Sequence, residues 1–512
     1  MVDLNKLLKK HFGYDAFRVG QKEIIEDVLA KKDVLATLPT GSGKSILYQL
    51  PALIFDGPVI VISPLISLME DQVKQLRKIG IKQAVALNSF NSPKERQAIL
   101  DRLNDYKLIY LSPEILQNQL VMRKLKQLTI QLFVVDEAHC LSQWGHEFRP
   151  DYLKLNPSII ELGQPPILAL TATATEDVQR DIVNHFNQTE FIKHIYPIDR
   201  KNISLVVERV STRKEKDDFL INLFKTKPVP AIIYFSSKKE TERVAELLSQ
   251  ELGDLNIAYY HSGVDDHERI LIQEQFIENQ IDIICSTSAF GMGIDKENIR
   301  LIIHYHLPTQ LESFIQEIGR AGRDQLSSVS ITLLGANDQE LPMYLINSEL
   351  PPVEVIDYLF SYLEQVKKNQ TSPVLKQVLQ EVCWELNEIQ TRYIMEFFKE
   401  SNLLNDAGQV QIINTSEQIR EKMIKRIDER YRYKQEKITE LLNWLNNPGC
   451  RRVHLYQPFQ STVTKVKEKC CDHCGFKLED WSPRHISRRT KGSDLSEALR
   501  AIMLPFEIRE AQ

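Results

Sequence analysis

A chain of 512 residues is too long for one hydrophobic core and long enough for three or four domains. Hydrophobic residues make up 43% and charged residues 26%, as in globular proteins, and no apolar run nears the roughly 18 residues that span a bilayer. The net charge of −5 excludes nucleic-acid binding by overall basicity, so such a partner has to be held by local patches. The opening MVDLNKLLKKHFGYD is amphipathic and lacks the apolar core of a signal peptide, and a cytoplasmic location is expected (nucleoid-associated in a bacterium).

Up to about residue 200, short apolar runs alternate with amphipathic stretches. DVLATL, PVIVIS, LIYLS, LFVVDE and PILALTAT each end in turn residues before a helical pattern, which predicts a parallel sheet covered on both faces. A charged linker follows at YPIDRKN (196–202), and the alternation restarts with AIIYFS, IAYYHS, DIICST, LIIHYHLP and VSITLL. The fold class expected is α/β, with two tandem parallel-sheet domains, residues 1–200 and 201–340, and a ligand cleft at the carboxyl ends of their strands.

Beyond 340 the pattern turns helical. PVEVIDYLFSYLEQV, PVLKQVLQEVCWEL and NEIQTRYIMEFFKESNLL predict three amphipathic helices, and NDAGQVQII a turn and strand, an order that fits a winged helix over 341–415. Helical spacing puts Ile389, Tyr393, Ile394 and Phe397 in its core. The third helix carries Glu388, Glu396 and Glu400 beside Arg392 and Lys399, so it is not a phosphate-binding surface. A cysteine-bearing module is expected over 416–480, then a basic tail over 481–512 with Arg484, His485, Arg488, Arg489 and Lys491.

The chemistry concentrates in four places. ATLPTGSGKS follows an apolar strand and opens a helical stretch. Gly41 and Gly43 let the backbone curl its N–H groups toward a phosphate, with Thr40 and Ser42 completing the loop. Lys44 can reach the β- and γ-phosphates of ATP, and the Ser45 hydroxyl can ligate Mg²⁺. Leu38 stands where the strict motif has glycine. A second strand ends in Asp136-Glu137, suited to hold the Mg²⁺ shell and to polarise the attacking water. QEIGRAGRD in the second domain offers Arg320 and Arg323, either a solvated basic face or arginine fingers across the cleft; its two glycines favour fingers. Cys450, Cys470, Cys471 and Cys474 crowd four of the seven cysteines into 25 residues, which points to a metal rather than disulfides, with His473 as an alternative to Cys470.

These residues resemble the RecQ family of DNA helicases. The likeness rests on FGYDAFRVGQ, LPTGSGKS, VISPLISLMEDQV, VDEAHCLSQWGHEFRPDY, ALTATAT, STSAFGMGIDKENIRLIIHYHLP and QEIGRAGRD, covers roughly residues 8–335, and resumes at the cysteines. It implies RecA-like domains, an adenine site of Tyr14, Arg18 and Gln21, and Gln316 in the catalytic set beside Arg320 and Arg323. It implies that Trp144, His146, Phe148 and Arg149 contact single-stranded DNA and report it to the ATPase site. Stacking on bases would suit them, and packing at the domain interface is the alternative. Threonines of TATAT and STS would hold phosphates. The four cysteines would bind a structural Zn²⁺. The implied activity is ATP- and Mg²⁺-dependent 3′→5′ unwinding of DNA in repair or recombination. Single-stranded and tailed duplex DNA would be its substrates, and single-strand-binding protein or other repair proteins its candidate partners. A related RNA helicase and a DNA-binding scaffold with a decayed ATPase are the rivals; the aromatic loop opposes the first, and intact Lys44, Asp136 and Glu137 the second.

Overall fold

The computed structural model describes residues 3–142, 150–186, 191–291, 296–368, 373–383, 385–405, 408–411, 417–460, 463 and 469–483. The first domain is a seven-stranded sheet of β1 (Val34–Thr37), β2 (Val59–Ile62), β3 (Ala84–Leu87), β4 (Leu108–Leu111), β5 (Leu132–Val135), β6 (Ile167–Thr171) and β7 (Ile192–Ile195), in the order β3-β4-β2-β5-β6-β1-β7. Its pairings are all parallel. The second holds β8 (Ile203–Arg209), β9 (Ala231–Tyr234), β10 (Ile257–Tyr260), β11 (Ile283–Ser286), β12 (Leu301–His304) and β13 (Ser328–Leu334), ordered β10-β11-β9-β12-β13-β8 and likewise parallel.

Alternation of side chains across a strand explains why these runs are apolar throughout. Leu35, Ile60, Ile62, Phe133 and Val135 pack on one side of the first sheet, and Val34, Val59, Val61, Leu132 and Val134 on the other. Helices cover both sides, so the central strands of the first sheet are buried at every position. All ten expected strands are present, and β3, β7 and β8 are additional. β7 (IKHI) lies at the sheet edge and alternates half-buried with exposed residues, and β8 ends in Glu208 and Arg209, so neither reads as a continuous apolar run.

Three helices, Val353–Lys368, Leu375–Val382 and Glu388–Glu400, gather a separate core that includes Ile356, Leu359, Leu375, Ile394, Phe397 and Phe398. Tyr393 packs against that core, but Ile389 does not join it and is 54% exposed. At 3.6 residues per turn Ile389 stands about 140° around the helix from Ile394, while Phe398, absent from the expected set, lies within about 40° of it. We expect Ile394→Ala to cost about 2–5 kcal/mol and Ile389→Ala to stay within about 0.5 kcal/mol, read from denaturation midpoints. Equal shifts would show that this core is arranged differently. The turn after the third helix closes through Gly408 N–H to Asn405 O (2.9 Å), and isolated bridges join Leu404 to Val410 and Val374 to Gln409; residues 412–416 lie outside the described ones.

A 30-residue helix, Glu417–Asn446, then links the cores. Met423 and Ile427 pack into the three-helix core, and Leu441, Trp444 and Leu445 into the second sheet domain. There Trp444 meets Phe314 with ring centroids 4.7 Å apart, and Lys437 pairs with buried Glu312 at 2.9 Å. The strut delivers the chain to Cys450 beside β8. Among the described residues no helix is long and apolar enough to cross a membrane.

Candidate functional site

The loop from Leu38 to Ser45 leaves the carboxyl end of β1 and enters helix Ile46–Ile54. Gly41 and Gly43 have φ of +75° and +76°, left-handed values that a side chain would oppose. Leu38 needs no such freedom, because its N–H still pairs with Thr171 O (3.2 Å) as an extension of the sheet. The Lys44 Nζ and Ser42 Oγ are buried with no hydrogen-bond partner among the described residues. A buried ammonium without a partner is costly, so this donor set fits a polyphosphate that supplies the acceptors.

Asp136 and Glu137 follow β5, and the Asp136 N–H is fixed on Ile62 O at 2.9 Å. Burial, and then the neighbouring charge of Glu137, raise Asp136 to a pKa of about 6, against the pull of Lys44. A carboxylate so placed gains from a cation, which suits a Mg²⁺ site. Glu137 takes φ +48°, a left-handed conformation held by its N–H on Asp136 Oδ1 (3.0 Å). His139 Nδ1 lies 3.4 Å from Glu137 Oε2 and 3.1 Å from Thr171 Oγ1, so it joins the acid pair to the TATAT segment. Thr171, Thr173 and Ser286 are buried, and Thr171 and Ser286 spend their hydroxyls on the carbonyls of Thr173 and Thr287. Those two hydroxyls are engaged within the protein, whereas Thr175 and Thr287 are partly exposed and Ser288 is exposed.

Trp144, His146, Phe148 and Arg149 lie outside the described residues. Their stretch is anchored on both sides, by Ser142 Oγ on Asp181 Oδ2 (2.5 Å) and by Tyr152, whose hydroxyl donates to Asp136 O (3.0 Å). Tyr152 is fully buried, so it is an anchor and not a stacking face.

Around the base site Tyr14 is 57% exposed, which leaves a ring face available. Arg18 donates through Nη1 to Gly41 O. Gln21 accepts from Arg18 N–H (2.9 Å) and donates from Nε2 to Ser42 O (2.9 Å) and Gly43 O (3.1 Å). Its amide is thus tied to the phosphate loop in this structure, and a base edge would have to compete for it.

The second domain meets this loop directly. A Cβ on Gly319 would fall 1.9 Å from Thr40 Oγ1, and one on Gly41 would fall 2.9 Å from Arg323 Cγ, so glycine is required at both contacts. Arg320 is buried and donates to Gly291 O, and Gln316 is buried in helix Leu311–Ile318. The structure therefore gathers Thr40–Ser45, Asp136, Glu137, Arg320 and Arg323 about one interface. It adds Arg200, which the sequence showed only as part of a charged linker. Burial, and then the like charge of Arg323, lower the pKa of Arg200. Arg18, Arg200 and Arg323 thus lie close to one another beside the phosphate loop, a positive charge suited to a polyanion.

The four cysteines also converge. Their sulfurs lie within 4.8 Å of one another, with Cys450 Sγ and Cys470 Sγ 3.5 Å apart. Tetrahedral thiolate coordination at about 2.3 Å needs sulfurs about 3.8 Å apart, so the cluster matches such a centre. His473 is excluded from it: Nδ1 donates to Gly449 O (2.8 Å), and Nε2 faces Arg451 Nη2 at 3.0 Å. The turn closes at Gly475, φ +85°, with Cys474 N–H on Cys471 O (3.0 Å).

Comparisons with known proteins agree with this geometry. Residues 18–181 match the DEAD/DEAH box helicase family and residues 215–325 the helicase conserved C-terminal domain. The chain is 42% identical over 480 residues to the probable ATP-dependent DNA helicase RecS of Bacillus subtilis, covering 93% of each. It is 40% identical over 327 residues to the ATP-dependent DNA helicase RecQ of Haemophilus influenzae, covering 64% of this chain but only 52% of that protein. The structure of Mycobacterium smegmatis helicase Lhr, bound to single-stranded DNA and AMP-PNP, shares the fold over 67% of this chain and 49% of that one, with a TM-score of 0.56 at 18% identity. With near-complete mutual coverage of RecS and the same paired domains, the chain belongs to the RecQ-type family of ATP-dependent DNA helicases.

Proposed function

We propose that the protein couples hydrolysis of Mg²⁺-ATP to 3′→5′ movement along single-stranded DNA and so unwinds tailed duplexes in repair or recombination. The observation that carries this reading is the buried Lys44 ammonium, without a hydrogen-bond partner among the described residues, set in a phosphate loop that Arg323 of the second domain would meet at a Gly41 side chain. Lys44 neutralises the β- and γ-phosphates, and Thr40, Gly41, Ser42 and Gly43 wrap them. Ser45 and Asp136 hold the cation, which supplies charge neutralisation at the phosphates. Glu137 orients the attacking water, and Arg320 and Arg323, with Gln316, complete the charge at the γ-phosphate when the domains close. Tyr14, Arg18 and Gln21 take the base. The residues at 1–200 and 201–340 act as the two moving bodies, followed in the chain by the winged-helix-like 341–415, the metal module 416–480 and the basic tail 481–512. The cysteine centre holds Zn²⁺.

Unwinding of DNA and RNA duplexes bearing a 3′ or a 5′ tail tests the reading. DNA with a 3′ tail should be opened; opening of RNA alone would favour the RNA-acting rival, and equal opening from 5′ tails would remove the polarity. Trp144→Ala and Phe148→Ala should cut the stimulation of ATPase by DNA about tenfold while basal hydrolysis persists, since the loop reports DNA and does no chemistry. Its Tyr152 anchor on the carbonyl of Asp136 is the physical route for that report. Parent-like stimulation in both variants would make these aromatics packing residues.

A further inference from the structure

Arg200 sits in the linker between the two sheets, in neither of the segments that carry the nucleotide chemistry, yet its side chain joins them. Its Nη1 donates to Thr40 O of the phosphate loop (3.0 Å) and to Gly319 O (3.2 Å), and its Nη2 to Ala321 O (3.3 Å) and Gly322 O. Four guanidinium hydrogens thus meet four carbonyls. Three of these belong to the turn that carries Arg320 and Arg323, and the fourth to the loop that would hold the phosphates. A Cβ on Gly41 would come within 3.4 Å of the same Nη1, so the packing here is close.

Arg200 is itself held from the far end of the chain. Arg452, two residues after Cys450 and almost wholly buried, donates to the Asp199 carboxylate, to Arg200 O (3.0 Å) and to Ile203 O. Gln460 Oε1 accepts from Ile198 N–H at 2.9 Å. The linker is therefore clamped at 198–203 by the cysteine module, and its free end clamps the interface.

We propose that Arg200 is a positioning residue for ATP hydrolysis: it fixes the Gly319–Gly322 turn against the phosphate loop, so that Arg320 and Arg323 are aimed at the γ-phosphate, and the Cys450–Tyr456 segment holds it in place through Arg452. This rests on the ATPase reading above. Lysine cannot replace the function, because one ammonium cannot span four carbonyls spread over two domains. Misplacement of catalytic groups by about 1 Å costs up to about 100-fold in rate.

The test is a set of full-length variants assayed for DNA-stimulated ATP turnover, for affinity toward a fluorescent ATP analogue, and for melting temperature. Arg200→Ala should lower kcat about tenfold or more, and Arg200→Lys should lower it nearly as much, with analogue affinity within about threefold of the parent. In the triple variant Arg200→Lys/Arg320→Ala/Arg323→Ala the loss should be no greater than in Arg320→Ala/Arg323→Ala, because Arg200 acts through the turn that carries both. Additive losses, or an affinity loss that accounts for the whole effect, would overturn the proposal. So would unaltered kcat in a folded Arg200→Lys, or failure of that variant to fold, which would make Arg200 a packing residue. Absence of ATPase in the parent would instead defeat the underlying reading.

Discussion

Lys44→Ala should reduce ATP hydrolysis to less than about a hundredth of the parent rate, with single-stranded DNA binding largely kept. The ammonium is buried, has no hydrogen-bond acceptor among the described residues, and stands at the mouth of a helix whose preceding glycines turn the backbone toward the same point. Its removal deletes positive charge where negative charge accumulates in phosphoryl transfer, and the residues proposed to meet DNA belong to a separate segment of the sequence, 142–149. Arg320→Ala and Arg323→Ala should lower turnover about 10³-fold with a much smaller change in nucleotide affinity, since such contacts strengthen toward the transition state. The two arginines differ in their present contacts. Arg320 is committed to Gly291 O, while the stem of Arg323 lies against Gly41. Steady-state kinetics with direct nucleotide titration separates the effects. Turnover intact at saturating ATP would remove the arginines from the site, and near-normal hydrolysis in Lys44→Ala would mean that this loop is not the catalytic one.

The candidate catalytic elements stand out in the sequence because each is local: glycines beside a lysine, two acids at a strand end, arginines between glycines. The same holds for the apolar strands, most of which are buried on both faces and so need no partner to be recognised. What escaped notice depends on distant partners. Arg200 lies 160 residues from Thr40 and 119 from Gly319, and nothing in IDRKN marks a guanidinium that bridges domains. His139 is only the fourth letter of DEAH until the structure sets it between Glu137 and Thr171. The hydroxyls of TATAT were expected at phosphates because threonine can bind them; burial under the sheet directs Thr171 inward instead. Ile389 fails for a geometric reason, since spacing of four places it beside Tyr393 at the margin of the apolar face and not at its centre. The choice between Cys470 and His473 could not be made from spacing, and is decided by where the imidazole nitrogens point.

Loss of the metal should have the other large effect, and it should spread beyond the cysteines. Purified protein should carry one zinc per chain, and Cys471→Ser should lose it and melt well below the parent. The zinc bound by small cysteine-rich domains supplies about 10–16 kcal/mol of apparent folding energy, so a module built on it does not survive removal of one buried ligand. Here the module is also joined to the second sheet: Leu205 N–H donates to Cys470 O (3.1 Å), and Val207 N–H to Asp472 Oδ2 (3.2 Å), while Arg451 grips Asp472 at 2.6 Å. Unfolding it frees the edge of β8 and releases Arg452 from Asp199 at the linker. ATP turnover in Cys471→Ser should therefore fall even in the protein that stays soluble, although the cysteine lies in a different module from the phosphate loop. His473→Ala is the control, because its ring nitrogens are spent on Gly449 and Arg451 and not on the cluster. It should retain full zinc with a modest drop in melting temperature. Metal analysis and thermal melting of the three proteins decide the matter: a parent without zinc, or equal zinc loss in His473→Ala and Cys471→Ser, would refute the four-cysteine centre. Zinc loss with wholly normal turnover would show that the module stabilises the chain without reaching the ATPase interface.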